Sequence, residues 1–216
     1  MLSISRKRAT FGLFTVVVLV AALAISALLP APFGHAAAPA RKKPVTFGAK
    51  LTRQSQPSNA FDGQPCEPKT VKCTRVMTEA YRRPDPETDQ RAPKNGTIGT
   101  IMIVAGVPGT FRLQIVRAKL GSQQAKVIRN GPVIKYKGQG TTEDNGPPYT
   151  IESFKVNVPV EKGDYLAVRA TKISFEYCSG GGFSQLTFEP PLVAGAKYRH
   201  SSHIDGCLML LEAVYK

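Results

Sequence analysis

Two histidines and an aspartate near the end of the 216-residue chain could bind a metal ion. His200 and His203 are three residues apart, and Asp205 follows shortly after them. Imidazole nitrogens and carboxylate oxygens are common ligands of zinc and other transition metals. A polar loop that also contains serines more often has such residues exposed to solvent. We therefore predict no metal and no cofactor, and keep His200, His203 and Asp205 as the candidate ligands if a metal site exists. Glu143–Gly146 offers oxygen ligands for Ca²⁺ but lacks the alternating spacing of a calcium loop.

Catalysis by this chain would need a nucleophile or a carboxylate pair supported by further groups. Glu152, Glu176 and Glu189 could supply a glycosidase-like pair, but their spacing singles out none of them. We name no catalytic residue. A secreted hydrolase with an unrecognised carboxylate site stays open as an alternative.

Tyrosines and arginines are the candidates for binding a ligand. Sugar-binding proteins stack flat aromatic rings on sugar rings, and this chain has 7 tyrosines but no tryptophan. A strand tyrosine can equally be half-buried packing with its hydroxyl at the rim of the core. The predicted ligand-binding residues are Tyr136, Tyr165, Tyr177, Tyr198, Arg112 and Arg169.

The strong basic charge of the chain indicates attraction to polyanions. Lysines and arginines number 29 against 15 acidic residues, which gives a formal net charge of +14. Residues 1–36 carry three basic and no acidic side chains, so their removal leaves +11. For an exported protein the partners would be anionic envelope polymers, acidic polysaccharides or anionic lipids. An alternative is that the charge only keeps the domain soluble. Nucleic acid is not an expected partner, because aromatic and basic residues do not alternate as a stacking platform.

The 4 cysteines indicate an oxidising compartment, where an even number favours disulfides over free thiols. Three pairings are possible. We favour Cys66 with Cys73 as a local loop and Cys178 with Cys207 as a clamp between late strands. A cysteine metal site is the alternative, but it would need closer spacing or convergent histidines.

The N-terminus has the pattern of a secretory signal peptide. Three basic residues, Arg6 to Arg8, precede an apolar run over 11–29 that ends in prolines and small residues. We predict cleavage after Ala36, a flexible segment over 37–43, and one domain over 44–216. If the run is not cleaved, it could instead anchor the protein in a membrane with the domain facing outward. Either reading places the domain outside the cytoplasm.

Alternating apolar and polar residues predict that this domain is almost entirely β-structure. Phe111, Leu113 and Ile115 alternate with Arg112 and Gln114, as in a strand with one wet face. No convincing helical period occurs outside the signal region, and turn residues recur at short intervals. The predicted fold is an antiparallel β-sandwich with about ten strands. These strand candidates are 44–48, 70–77, 97–105, 110–117, 126–129, 133–136, 150–160, 165–170, 172–177, 185–189 and 207–215, and 161–164 is predicted to be a hairpin turn.

Several segments resemble a group of uncharacterised secreted bacterial proteins. They are Val45–Leu51, the early cysteine pair, Val158–Tyr165 and Gly206–Val214. The resemblance spans nearly the whole domain and implies a jelly-roll-like β-sandwich in a secreted protein. It brings no catalytic residues to this chain.

Together these features predict an exported, disulfide-stabilised binding module whose ligand is a carbohydrate or an anionic envelope polymer. A structural or protein-binding domain is a further alternative, and an exposed apolar face would be its sign. The sequence does not define the oligomeric state.

Overall fold

The structure of the protein, a computed structural model, describes residues 43–51, 64–66, 72–78, 88–138, 150–178 and 185–216. Residues Lys42–Lys216 form one compact unit. The predicted signal peptide, 1–36, and the Glu143–Gly146 turn lie outside the described residues. No helix long and apolar enough to cross a membrane occurs in the described ranges.

The described chain consists of short and medium strands, which confirms the all-β prediction. The only helical turn in the described ranges is a 3-10 turn, Leu120–Ser122. The sixteen strands of the described residues are β1 Thr46–Ala49, β2 Gln64–Pro65, β3 Cys73–Met77, β4 Thr88–Asp89, β5 Gly96–Ile103, β6 Gly109–Lys119, β7 Gln124–Tyr136, β8 Glu152–Val160, β9 Tyr165–Ala170, β10 Lys172–Ile173, β11 Glu176–Cys178, β12 Gln185–Phe188, β13 Arg199–His200, β14 His203–Asp205, β15 Cys207–Met209 and β16 Leu211–Tyr215.

Two antiparallel sheets form a sandwich. One has five strands in the order β4-β1-β16-β5-β8, and the other has seven in the order β13-β7-β6-β9-β3-β12-β14. Two short pairs, β10 with β2 and β11 with β15, are the remaining sheets in the described ranges. The antiparallel β-sandwich predicted from the sequence is therefore confirmed.

A large apolar core joins the two sheets. Phe111, Leu113 and Ile115 of β6 are buried in it, together with Ile101 and Ile103 of β5. The opposite face of the seven-stranded sheet has a smaller core of its own, which contains Val116 and Ala167. Because side chains alternate along a strand, β6 and β9 contribute to both cores.

The longest strand, β7, joins two segments that the sequence predicts as separate strands. Its pairing with β6 shifts register twice, between Arg112 and Gln114 and between Ile115 and Val116. At each shift β7 has one residue more than β6, so Gly131-Pro132 is accommodated as an irregularity inside the strand. A bulge tolerates proline because the local ladder hydrogen bond is already lost.

The predicted hairpin at Glu161–Asp164 is wrong, because this turn connects the two sheets. Strand β8 before it pairs with β5, whereas β9 after it pairs with β6 and β3. The turn itself forms as expected, with Gly163 at φ +87°. Its buried Asp164 accepts hydrogen bonds from the Glu161 backbone amide and from the guanidinium of Arg117. The turn is thus tied to β6 in the seven-stranded sheet.

The seven-stranded sheet is curled. Its two edge strands, β13 and β14, are separated in the chain only by Ser201 and Ser202. The Ser201 amide donates to the Gln123 carbonyl beside β7, and the Ser202 amide donates to the Thr187 carbonyl of β12. The chain thereby links one edge of the sheet directly to the other.

The sequence predicts one continuous strand over 207–215, but the structure has two separate strands there. The predicted strand over 207–215 is β15, paired with β11, followed by β16 in the five-stranded sheet. Between them, the Leu210 amide donates to the Phe175 carbonyl. One residue is therefore enough for the chain to change sheets.

The favoured Cys66–Cys73 pairing is confirmed by a buried disulfide. Cys207 is also disulfide-bonded. In the backbone register of β11 and β15, Cys178 lies directly opposite Cys207.

Candidate functional site

A pocket of about 380 Å³ opens on the seven-stranded sheet beside the start of β6. It is formed by β6, β7, the end of β9 and the residue that precedes β3. The lining residues are Lys72, Thr110, Phe111, Arg112, Val133, Arg169, Ala170 and Thr171. Three of these residues are cationic and none is acidic, so the pocket is suited to an anion.

The strand register places the two arginines side by side. Arg112 of β6 lies directly opposite Arg169 of β9 on one side and Val133 of β7 on the other. Directly opposed residues of an antiparallel pair project from the same face. Phe111 and Leu113, the chain neighbours of Arg112, are buried in the core between the sheets. Alternation along β6 therefore directs Arg112 away from that core and into the pocket.

The cations of the pocket are not neutralised by the described part of the chain. The Arg112 Nη1 donates to the Gly131 carbonyl over 3.2 Å, which leaves its charge uncompensated. The Arg169 Nε is buried and has no hydrogen-bond partner. No carboxylate among the described residues forms a salt bridge with Lys72, Arg112 or Arg169. Like charges placed directly opposite on neighbouring strands destabilise a sheet.

The adjacent polar side chains, by contrast, are well satisfied. Thr74 of β3 lies opposite Arg169 of β9 and donates to the Gln114 side chain over 2.9 Å. Gln114 in turn donates to Asn130 over 2.9 Å, and the Leu192 amide donates to Thr74 over 3.0 Å. These polar side chains are therefore paired up to the edge of the pocket, whereas the charges of the two arginines have no acidic partner among the described residues.

The Cys66–Cys73 disulfide lies against one wall of the pocket. The Cys66 amide donates to the Thr171 carbonyl over 2.9 Å, and the Cys66 sulfur is 3.2 Å from the Ala170 carbonyl oxygen. Because this sulfur is bonded to Cys73 and carries no proton, the second contact is not a hydrogen bond. Cys73 lies opposite Ala170 in the β3–β9 register. Lys72 is thus attached to a covalently fixed residue.

Two of the predicted ligand-binding tyrosines are core residues. Tyr136 is 2% exposed and packs against Phe111 and Phe175, while Tyr165 is 4% exposed in the smaller core. Burial also raises the pKa of Tyr136. Tyr177 is half-buried against the main core. The first two rings therefore offer no flat surface to a sugar, and packing is the role the structure gives them.

Tyr198 lies apart from the pocket, among basic residues. The Lys119 and Lys126 ammonium groups are 4.4 and 4.9 Å from its ring centroid. The next residue, Arg199, lies over the Phe188 ring and has its pKa lowered by burial. The Tyr198 ring is thus occupied by cations of its own chain.

The histidine cluster does not form a three-ligand site in the structure. His200 Nε2 is 2.7 Å from the Gln124 amide nitrogen on β7, whereas His203 is on β14 at the other edge of the sheet. His203 Nε2 is 3.7 Å from Asp205, which also accepts a 2.5 Å hydrogen bond from Thr187. In the described ranges, the single group of three potential metal ligands is Cys66, Cys73 and Glu189. Both sulfurs of that group are consumed by the disulfide.

The three glutamates considered for catalysis have different surroundings. Glu176 is buried and accepts hydrogen bonds at 2.8 Å from Arg75 and from Gln185. Burial raises the pKa of Glu176, and the Arg75 charge opposes that shift. Glu152 accepts from the backbone amides of residues 137 and 138. The Glu189 amide donates to Ser202 Oγ.

Sequence reasoning named both pocket arginines but missed Lys72. The available signal was its position directly before Cys73, at the end of the predicted disulfide loop. Comparisons of the chain with protein-family models, with curated proteins and with solved structures find no match.

Proposed function

We propose that the protein is an extracytoplasmic binding module for an anionic polymer, and that the Arg112–Arg169 pocket receives an anionic group of that polymer. The observation that carries this proposal is the direct opposition of two arginines in a pocket with no acidic lining. A ligand carboxylate, sulfate or phosphate in the pocket would relieve their repulsion. Arginine is suited to these groups because its planar donors match their oxygens.

An anionic polymer is favoured over a neutral carbohydrate by the same observations. The Tyr136 and Tyr165 rings are buried, so they provide no stacking platform for an uncharged sugar. Further basic residues, such as those around Tyr198, would add attraction over a longer chain. Their contribution is expected to weaken with salt, because about 0.1 M salt screens exposed charges beyond roughly 10 Å.

The polymer preference can be tested with three immobilised polysaccharides. Dextran sulfate carries sulfates, polygalacturonate carries carboxylates, and dextran is the neutral counterpart of the first. We expect retention on one or both anionic polymers and none on dextran. Retention that persists at about 0.3 M salt would indicate a shaped site, whereas equal retention on all three polymers would contradict the proposal.

The role of the pocket can be tested by Arg112→Gln and Arg169→Gln, with Arg129→Gln as the matched control. Arg129 is exposed, lies outside the pocket and loses the same charge. A hydrogen bond to a charged group contributes about 1.5–3 kcal/mol, so each pocket variant should weaken binding about tenfold or more. The control should weaken it about twofold at most. Equal losses in all three variants would mean that binding follows net charge and not the pocket.

A further inference from the structure

The Cys66–Cys73 disulfide and the cationic pocket share a wall. Cys73 lies opposite Ala170, and the Cys66 amide is hydrogen-bonded to Thr171, and both of those partners line the pocket. The third element of this wall is Lys72, the residue directly before Cys73. Lys72 is itself exposed, so no packing of its side chain fixes its position.

The two arginines and the lysine are therefore held in different ways. Arg112 and Arg169 lie within paired strands and are directly opposed in the ladder between β6 and β9, which fixes their spacing. Lys72 precedes the first residue of β3 and lies outside that ladder. Its backbone is joined to Cys73, which pairs with Ala170 at the end of the β3–β9 ladder and is also bridged to Cys66, whose amide donates to the Thr171 carbonyl.

We propose that the Cys66–Cys73 disulfide is a positioning element of the anion site, which holds Lys72 at the pocket, so that the complete three-cation site exists only in the oxidised protein. This inference rests on the proposed function. Opening the bridge with a dithiol reductant would transfer two electrons and two protons to the sulfurs. The S–S bond would break, two thiols would form, and the reductant would become a disulfide. Lys72 would then be tied to the wall only by the hydrogen bonds of β3.

The test compares binding to dextran sulfate by Lys72→Gln, by Cys66→Ser/Cys73→Ser and by the triple variant. Lysine at an exposed site contributes modestly, so Lys72→Gln should weaken binding about threefold to fivefold. Loss of the bridge should produce a similar loss. In the bridge-free background, Lys72→Gln should then have no further effect, because the lysine is no longer held at the pocket.

Arg112→Gln provides the readout that a general structural role would not give. Arg112→Gln should weaken binding by the same factor with and without the bridge, since the β6–β9 ladder holds Arg112. If neither Lys72→Gln nor Arg112→Gln weakens binding in the bridge-free protein, the whole pocket has collapsed and the proposal is overturned. A full Lys72 effect without the bridge would also overturn it.

Folding of the variants is checked by urea unfolding before any binding measurement. If the serine pair does not fold, Cys66→Ala/Cys73→Val keeps both buried positions apolar without the bridge. Failure of both pairs to fold would overturn the proposal, because the bridge would then be needed by the whole domain. The proposed function fails separately, if Arg112→Gln and Arg129→Gln weaken binding equally in the oxidised protein.

Discussion

Replacing Arg169 by glutamine is expected to stabilise the protein in the absence of a ligand, although it removes a native side chain. The change ends the opposition to Arg112, and like charges directly opposite cost about 0.2–1 kcal/mol. It also removes the buried Nε that lacks a partner, and an unsatisfied buried donor costs about 1–3 kcal/mol. The loss of partly buried side-chain methylene contacts offsets about 1 kcal/mol. The net expectation is a gain of about 1 kcal/mol.

The gain can be measured by urea and thermal unfolding of the wild type, Arg169→Gln, Arg112→Gln and the double variant. For a domain of this size, about 1 kcal/mol corresponds to a rise in Tm of roughly 2–4 °C. The gain that comes from charge repulsion should shrink in high salt, and it should appear as non-additivity between the two single variants. A loss of more than about 1 kcal/mol in Arg169→Gln would refute the reasoning.

Adding the polymer should reverse the order of stability. A ligand that binds only the folded state stabilises it by about 2.7 kcal/mol at a hundred times its Kd. Dextran sulfate should therefore raise the Tm of the wild type above that of Arg169→Gln. A pair of arginines that lowers the free energy of unfolding without a ligand and raises it with one is what a binding site for that ligand should show.

Three further outcomes are expected from unfolding measurements. Arg75→Met should cost about 3–5 kcal/mol because it removes the partner of the buried Glu176, whereas Arg75→Met with Glu176→Gln, which keeps an acceptor for the Gln185 amide, should cost less than the single variant; a small cost for the single variant would contradict this account. Burial raises the pKa of Glu176, so its contribution to stability is present below its ordinary pKa and is lost as pH rises through the raised value. The stability of the wild type relative to that double variant should thus increase as pH falls from 7 toward about 4.5, and a decrease would show the opposite shift. Gly163→Ala should cost about 1–2 kcal/mol because its φ is +87°, and Gly121→Ala, where φ is not positive and the space is open, should cost nothing.

Local alternation was enough to predict the fold class but not the assignment of strands to sheets. The pattern around Phe111 identifies β6 because the polarity of each residue indicates whether its side chain faces the core. The turn at Glu161–Asp164 looks the same whether the next strand pairs with the previous one or crosses to the other sheet. That choice depends on the pairing of β9 with β6 and β3, which are distant in sequence.

The site could be predicted only as separate residues. Arg112 and Arg169 were named among many basic side chains, but their adjacency is a property of the β6–β9 register. Tyr136 was named for its aromatic ring, although it follows the burial period of Ile134 two residues earlier. That alternation could have predicted that Tyr136 packs in the core. The placement of His200 and His203 on opposite edge strands had no local signal, because it depends on the pairing of β13 with β7 and of β14 with β12.

The edges of the two main sheets bear on how the protein behaves at high concentration. An exposed sheet edge is a template on which a second copy can add a strand, which is a common route to aggregation. Here β13, β14 and β4, three of the four outermost strands in the described sheets, are only two or three residues long. The fourth, β8, is long but carries exposed Lys155 and Pro159, and proline cannot donate to a ladder. Under the proposed function, copies of this chain could therefore accumulate side by side on a polymer without their sheets joining.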